Sequence, residues 1–351
     1  LPRFYRWIDR NSFCIRYLIY IPMTLQVLRF VPVLLLVSVS AGIAVGDGGN
    51  AVFKSTDRGR SWVRSDQGIP DACRINAFVS SGNNLLAGTD EGVFISLDEA
   101  RTWQPVTGAA MSSGRIVSFA TVGNKVFAGT SNSGLLESTD HGKSWTSNAT
   151  FLSKNVRCLL SHDGRLYVGT DKDGVWVSNR SDHTWSSLTQ GFPIDAQVFA
   201  LSMVEGRVFA GLYSQGLYGW SQDELRWLKS GTVSPLVLAS TGGTLVAGHN
   251  PGGVHWSADM GATWSKATAK PDFQFPLDLT NDNGALSSSA PVWELAANED
   301  LVIAGASDGI YISEDSGRTW SRARTGLPAE SPGISFLLEE NFFLVGTIIP
   351  R

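Results

Sequence analysis

Redox and metal chemistry have little to work with in this chain. Its 351 residues include 3 Cys, 5 His and 4 Met. The histidines, His141, His162, His183, His249 and His255, are scattered, and no cluster shows metal-ligand spacing. No metal or other cofactor is therefore expected. Charge is sparse too, at 17% Asp, Glu, Lys and Arg. The net charge is −4, but residues 1–30 hold five Arg against one Asp, which leaves about −8 on the remainder. A surface of that sign is a poor binder of polyanions, so nucleic acid is discounted as a partner. Helical periodicity is missing from residues 45–351, which argues against a fold built on helices. The apolar run at residues 31–44 is short for a membrane span.

Glycine and tryptophan are plentiful, with 37 Gly and 12 Trp. Seven tryptophans fall at a near-constant step: Trp62, Trp103, Trp145, Trp185, Trp227, Trp264 and Trp320. Ahead of each stands a version of Ser-x-Asp-x-Gly-x-x-Trp. Four copies are complete, carrying Asp57, Asp140, Asp259 and Asp315. The copy with Asp98 has Ala100 in the Gly position, and the copy with Asp223 is one residue short. The copy ending at Trp185 has Arg180 in place of the Asp. An Asp accepting backbone N–H bonds closes a tight turn, and the Gly supplies a positive φ. These residues are therefore read as structural rather than catalytic.

Between the boxes a second pattern recurs. Residues 75–89 form an apolar strand, a Gly/Asn turn and a second apolar strand, and residues 156–170, 198–211 and 292–305 repeat it. A short turn and an alternating strand follow, and the strand after the box is fourth. Each unit is four short antiparallel strands, A to D, with period-two alternation. Units of about 40 residues must stack on one another to bury a core. The expected fold is all-β: a seven-bladed β-propeller of four-stranded antiparallel blades over residues 45–351, one domain.

Residues 1–44 are read as an N-terminal extension and signal peptide, with Arg29 before the apolar run and small residues near its end. A membrane would be met only through this segment, if it is retained. A rival reading takes residues 33–46 as the first two strands of blade one, since they align on 75–88. Strand counting favours the signal-peptide reading. Residues 333–347 supply an A and a B strand after the last box, and these can join the C and D strands of the first box. The ring then closes two-plus-two without an open edge. Cys73 and Cys158 fall on non-adjacent blades, so no disulfide is expected.

The box motif resembles that of the Asp-box, or BNR-repeat, propellers. That superfamily includes sialidases, xyloglucan-degrading glycosidases, sortilin-type receptors and the photosystem II assembly factor. The resemblance covers about residues 45–347, and the short regular blades are most similar to the assembly-factor type. It implies the propeller fold and places ligands on the face opposite the boxes. On that face the B–C turns supply Asp47, Asp90, Glu91, Asp171, Asp173, Tyr213, His249 and Asp308. The long connection after Trp264 adds Phe273, Phe275, Asp278 and Asp282 as a lip. Arg74, Arg115 and Arg157 head three successive A strands. Sialidases hold a substrate carboxylate with three arginines, and Tyr213 with Glu205 or Glu294 would supply the nucleophile pair. No Phe/Tyr-Arg-Ile-Pro motif precedes the repeats, and Arg157 is offset by two positions.

The reading is a secreted, periplasmic or cell-surface monomer that binds another protein as an assembly scaffold, without enzymatic activity. The alternative is a glycan binder or a sialidase-like glycosidase, with Trp220, Trp256 and Trp293 as sugar platforms. The glycan reading predicts exposed aromatics at the channel mouth. A third reading is one unit of a larger surface protein.

Overall fold

The computed structural model describes residues 49–349, apart from 109–113, 181–183, 232, 250–251, 271–289, 300 and 330. Seven antiparallel sheets follow one another along the chain. The seven innermost strands are Ile75–Ser81, Ile116–Val122, Val156–His162, Val198–Val204, Val237–Thr241, Val292–Asn298 and Gly333–Leu338. Each packs beside the next, and the last packs beside the first, so they form a closed ring around a channel. The propeller expected from the tryptophan period is the fold observed.

Blade one is the two-plus-two blade. Asn50–Ser55 pairs with Phe343–Ile348 along its whole length, from Asn50↔Ile348 to Ser55↔Phe343. Val63–Arg64 and Gly333–Leu338 complete the sheet. The strand beside Asn50–Ser55 is thus C-terminal. Ile349 N–H adds a bond to Gly49 O at 2.7 Å. Blade seven carries one addition: Thr268–Ala269 pairs parallel to its outer strand, with Thr268↔Thr319 and Ala269↔Trp320.

The core lies between blades rather than within one sheet. Leu86, Val93 and Ile95 of blade two pack with Ile116, Val126, Leu136 and Trp145 of blade three. Val52 and Leu344 of blade one pack with Ile75, Phe78, Phe94 and Trp103 of blade two. A blade sandwiched in this way is buried on both faces. The second strand of blade two, Asn84–Thr89, is buried at all six positions, where simple alternation would bury half. Gly88 shows why the recurring Gly-Thr ends this strand. A Cβ there would lie 2.5 Å from Ile116 Cγ2 of the next blade.

The complete boxes share one geometry. In the first, Ser55 Oγ donates to Asp57 Oδ1 at 2.8 Å and accepts from Gly59 N–H at 2.8 Å. Asp57 Oδ1 accepts from Ser61 N–H at 2.8 Å, and Oδ2 accepts from Ser61 Oγ at 2.5 Å. Trp62 Nε1 donates to Gly59 O at 3.0 Å. Asp140, Asp259 and Asp315 repeat the pattern with Trp145, Trp264 and Trp320. Asp98 keeps its bonds to Thr102, but Trp103 Nε1 turns to Ser65 O of blade one at 2.9 Å. Trp227 does likewise, donating to Leu188 O at 2.8 Å. The short copy departs from the expectation for Asp223. There Ser221 Oγ accepts the Glu224 N–H at 3.2 Å, and Leu225 takes the positive φ of 51°. Trp185 packs edge-on against Phe151, 4.7 Å between centroids.

The box carboxylates have their oxygens occupied. Hydroxyl bonds from Ser61, Thr102 and Thr263, then backbone N–H bonds, hold Asp57, Asp98 and Asp259 down to about 2. Each box also docks on the preceding blade. A Cβ at Gly142 would meet Leu86 Cδ1 at 2.4 Å, Asn84 Nδ2 donates to His141 O at 3.0 Å, and His141 Nδ1 lies 2.9 Å from Ser81 Oγ.

Candidate functional site

The innermost strands run from the D–A connections, so their first residues ring one mouth of the channel. In blades two, three, four, five and seven a backbone bond draws the B–C turn to the same mouth. Asp90 N–H donates to Arg74 O at 3.2 Å, Ser131 to Arg115 at 3.1 Å, Asp171 to Asn155 at 3.1 Å, and Tyr213 to Gln197 at 3.0 Å. Ser307 donates to Pro291 O at 2.9 Å in the same way. The boxes lie at the other end of the blades, beside the A–B hairpins.

Six of the seven innermost strands carry a bulge at their second residue, as shown by register shifts spanning Asn76, Val117, Arg157, Phe199, Trp293 and Ile334. A bulge leaves one residue out of the ladder and re-aims its side chain. Arg157 is one of these residues, whereas Arg74 and Arg115 precede their strands. This is the physical basis of the two-position offset among the three arginines.

Two of those arginines are already engaged. Arg115 Nε lies 2.9 Å from Asp90 Oδ1, and its Nη2 donates to Asn76 Oδ1 at 3.1 Å. Asn76 Nδ2 closes the triangle on Asp90 Oδ1 at 2.8 Å. Arg157 approaches Asp171 Oδ1 with both Nε and Nη2 at 2.8 Å. Its guanidinium also lies 4.5 Å from the Phe199 ring centroid, and Phe199 stacks on Tyr213 at 5.0 Å. Arg74 is half-buried, with no partner for its Nε among the described residues. Burial, then the nearby Arg115 cation, draws its pKa down. A ligand carboxylate would have to displace Asp90 and Asp171 to meet Arg115 and Arg157. Asp173 is likewise held, by Lys154 at 2.9 Å.

The remaining site candidates divide. Tyr213 stands open at 51% exposure, and Trp293 at 41%. His249, placed by the sequence on the ligand face at a B–C turn, is 8% exposed. It packs edge-on against His255 at 4.8 Å, and burial, then His255, lowers its pKa to about 4. Asp308 is half-buried, its Oδ1 enclosed without a partner among the described residues, and its carbonyl accepts from Arg322 Nη2. Glu205 sits in an A–B hairpin turn, the far end from Tyr213, so those two do not meet. Asp47, Phe273, Phe275, Asp278 and Asp282 lie outside the described residues. Trp256 is covered by the Arg318 guanidinium at 4.8 Å, and Trp220 packs on Trp227 at 5.4 Å. Of these three non-box tryptophans, Trp293 alone stands open.

Below the mouth the channel widens into a cavity of about 260 Å³, walled by residues of all seven innermost strands. Phe78, Phe119, Phe199, Phe336, Ser118 and Ser335 are among its lining residues, with Ser335 Oγ donating to Ile75 O at 3.1 Å and the Phe78 ring packed on Trp103. Glu294 is the one carboxylate on that wall. Burial raises its pKa to about 8. Cys158, also on the wall, is pushed up to about 12 by burial. It and Cys73 are both free thiols.

A family model for the DUF6242 beta propeller domain matches residues 74–288. The chain belongs to the DUF6242 beta propeller family. It is also similar to an oligoxyloglucan-reducing end-specific xyloglucanase of Emericella nidulans, 24% identical over 205 residues, 55% of this chain. The match spans 24% of that enzyme's length. Among solved structures it is similar to the extracellular domain of the putative one component system BT4673 from B. thetaiotaomicron. The TM-score there is 0.63 at 12% identity, over 81% of this chain and 39% of that one. YCF48 bound to D1 peptide gives 0.59 at 18%, over 81% and 96%. The GH74 xyloglucanase from Xanthomonas campestris gives 0.59 at 16%, over 84% and 56%. Likeness at these identities establishes the shared propeller fold. Protein-binding and carbohydrate-degrading members both use it.

Proposed function

We propose that this DUF6242 propeller is an Asp-box scaffold that binds another protein through the mouth bearing the B–C turns. The carrying observation is that the mouth bears two open aromatics, Tyr213 and Trp293, while Asp90, Asp171 and Asp173 are already paired within the chain. Exposed aromatics among satisfied charges are features of protein interfaces. YCF48, which matches over 96% of its length, is seen with a peptide of D1, and a peptide or protein segment is the class of partner proposed here. The BT4673 match is an extracellular domain, and with residues 1–44 as extension and signal peptide this supports export of the 45–351 domain.

Site-specific photo-crosslinking in the native host tests the reading. A benzoylphenylalanine at Tyr213 or Trp293 is expected to capture one discrete polypeptide. The same probe at Val63, exposed next to a box, is expected to miss it. Capture that is equal at Val63, or absent at the mouth, refutes the reading.

Trp293 and Tyr213 also favour a second reading. Exposed aromatics at the mouth are what a glycan binder requires, and two of the similar proteins degrade xyloglucan. Hydrolysis needs a pair of carboxyl groups flanking the bond. At the described mouth Asp90 and Asp171 are held by arginines, and Glu294 stands alone on the cavity wall. The glycan reading is therefore one of binding. Saturable quenching of tryptophan fluorescence by xyloglucan oligosaccharides, lost on Trp293→Ala, is its expected signature.

A further inference from the structure

Two Asn-x-Ser/Thr sequons stand in the chain, Asn148-Ala149-Thr150 and Asn179-Arg180-Ser181. Neither has proline in the middle, so each matches the acceptor of N-linked glycosylation. Three-residue matches also arise by chance, and the accessibility of the acceptor amide decides what such a match means. Ser181 lies outside the described residues, whereas the first sequon is described in full.

Asn148 opens the connection from blade three to blade four, directly after the outer strand Thr146–Ser147. The anchor of that connection is Phe151, which is fully buried and packs edge-on against Trp185. Around it Ala149, Thr150, Leu152 and Ser153 are exposed. Asn148 Oδ1 accepts the Thr150 N–H at 3.1 Å. That bond fixes the carboxamide through its oxygen and leaves its nitrogen unused. Nδ2 has no partner among the described residues and is not enclosed. Asn148 also borders a cavity of about 200 Å³ between blades three and four, so free space lies beside the amide. The Thr150 hydroxyl makes no bond among the described residues. The Asn148–Thr150 bond spans two residues and needs no tertiary contact, so the turn is within reach of the chain before the propeller closes.

We propose that Asn148 is an N-glycosylation site. Transfer forms a bond from Nδ2 to the anomeric carbon of the first sugar of a lipid-linked oligosaccharide. The bond from that carbon to the lipid pyrophosphate breaks, and the pyrophosphate leaves with the bonding pair. One amide proton passes to a base of the transferase, which reads the Thr150 hydroxyl as part of the sequon. The site rests on the export reading of residues 1–44, since the lipid-linked donor is met on the secretory route. A glycan is bulky and solubilising. At Asn148 it leaves the mouth aromatics free, because Tyr213 and Trp293 belong to blades five and seven.

Intact mass and N-terminal sequence of the protein from its native host test the site. The expected chain carries a glycan that peptide-N-glycosidase removes, leaving an aspartate in place of Asn148. Asn148→Gln and Thr150→Ala are each expected to abolish the addition, and Thr150→Ser to retain it. Thr150→Ala keeps the backbone N–H that Asn148 Oδ1 accepts, so it decides should Asn148→Gln misfold. A start near residue 45 with Asn148 unmodified overturns the site and leaves the signal-peptide reading standing. A start before residue 23 with Asn148 unmodified overturns both. A glycan that survives Thr150→Ala, or that is lost with Asn179→Gln instead of Asn148→Gln, also overturns the assignment.

Discussion

The closing seam offers the sharpest test of the fold, at Gly346. This glycine lies near the end of the C-terminal strand of blade one, against blade two, as Gly88 lies near the end of its strand against blade three. A Cβ on Gly346 would lie 2.4 Å from Ser335 Oγ, 3.0 Å from Ile75 Cβ and 3.2 Å from Ile75 Cγ2. The serine can rotate away only by giving up its 3.1 Å bond to Ile75 O, about 1 kcal/mol. Ile75 is fully buried, and its Cβ moves only with the backbone. Overpacking of this kind costs ~1–3 kcal/mol, so Gly346→Ala should destabilise by about 2–3 kcal/mol in all. For a domain of this size that lowers the melting temperature by roughly 3–5 °C. Gly88→Ala is the internal reference, with Ile116 Cγ2 at 2.5 Å and Phe119 Cε2 at 2.8 Å. Thermal unfolding by circular dichroism should show comparable losses for the two variants. Ser335→Ala in the Gly346→Ala background should recover part of the loss. If Gly88→Ala destabilises and Gly346→Ala does not, the C-terminal strand pair is not seated on blade two and the closure argument fails.

Two further outcomes follow from the boxes. Ala100 sits at a φ of 69° where the complete boxes carry glycine, a strain of about 1 kcal/mol for an L-residue, so Ala100→Gly should stabilise by ~0.5–1 kcal/mol; a destabilised variant in chemical denaturation would count against that account. Asp98 is held at about 2, first by the Thr102 hydroxyl. Its folded pKa lies below its ordinary 3.8, so its contribution to stability is fully present above about pH 4 and fades as pH falls through 2. Asp98→Asn should therefore be less stable than the parent at pH 7, with the difference closing between pH 4 and pH 2. A difference that stays constant across that window would sink the linkage.

Much of this architecture is legible in the chain because it repeats. The tryptophan step predicts seven units, and the leftover strand pair after Trp320 predicts how the ring closes. Neither inference needs a long-range contact. The mouth is harder to read for a definite reason. A bulge adds one unpaired residue to a strand without changing its apolar pattern, so nothing local announces that Asn76, Phe199 or Trp293 turns toward the channel. The pairing of Arg115 with Asp90 joins neighbouring blades, and no pattern within either blade encodes it. His249 follows the same logic in reverse. It ends a strand at the B–C turn, where exposure is the natural expectation, and only the packing of His255 across the hairpin buries it. Glu294 stands out in the repeat, since the equivalent positions are Ala77, Ser118, Cys158, Ala200, Val237 and Ser335. That substitution is visible once the strands are aligned by their bulges.

Seven copies of one unit act as an internal comparison, and the pattern of sameness separates the two ends of the propeller. At the box end, Ser, Asp and Trp recur, and each recurrence has a structural cause: a turn closed by Asp oxygens, an indole bonded across it, a glycine seated on the preceding blade. Geometry shared by several blades serves the shared task of stacking. At the mouth the bulge position carries Asn76, Val117, Arg157, Phe199, Trp293 and Ile334 in six different environments. Stacking cannot require such variety, because every blade stacks alike. The side chains released from the stacking constraint are also those delivered by the bulges to the channel rim. Ligand recognition is the role that benefits from unlike residues converging on one opening, and a protein that used its boxes for chemistry would show the reverse distribution.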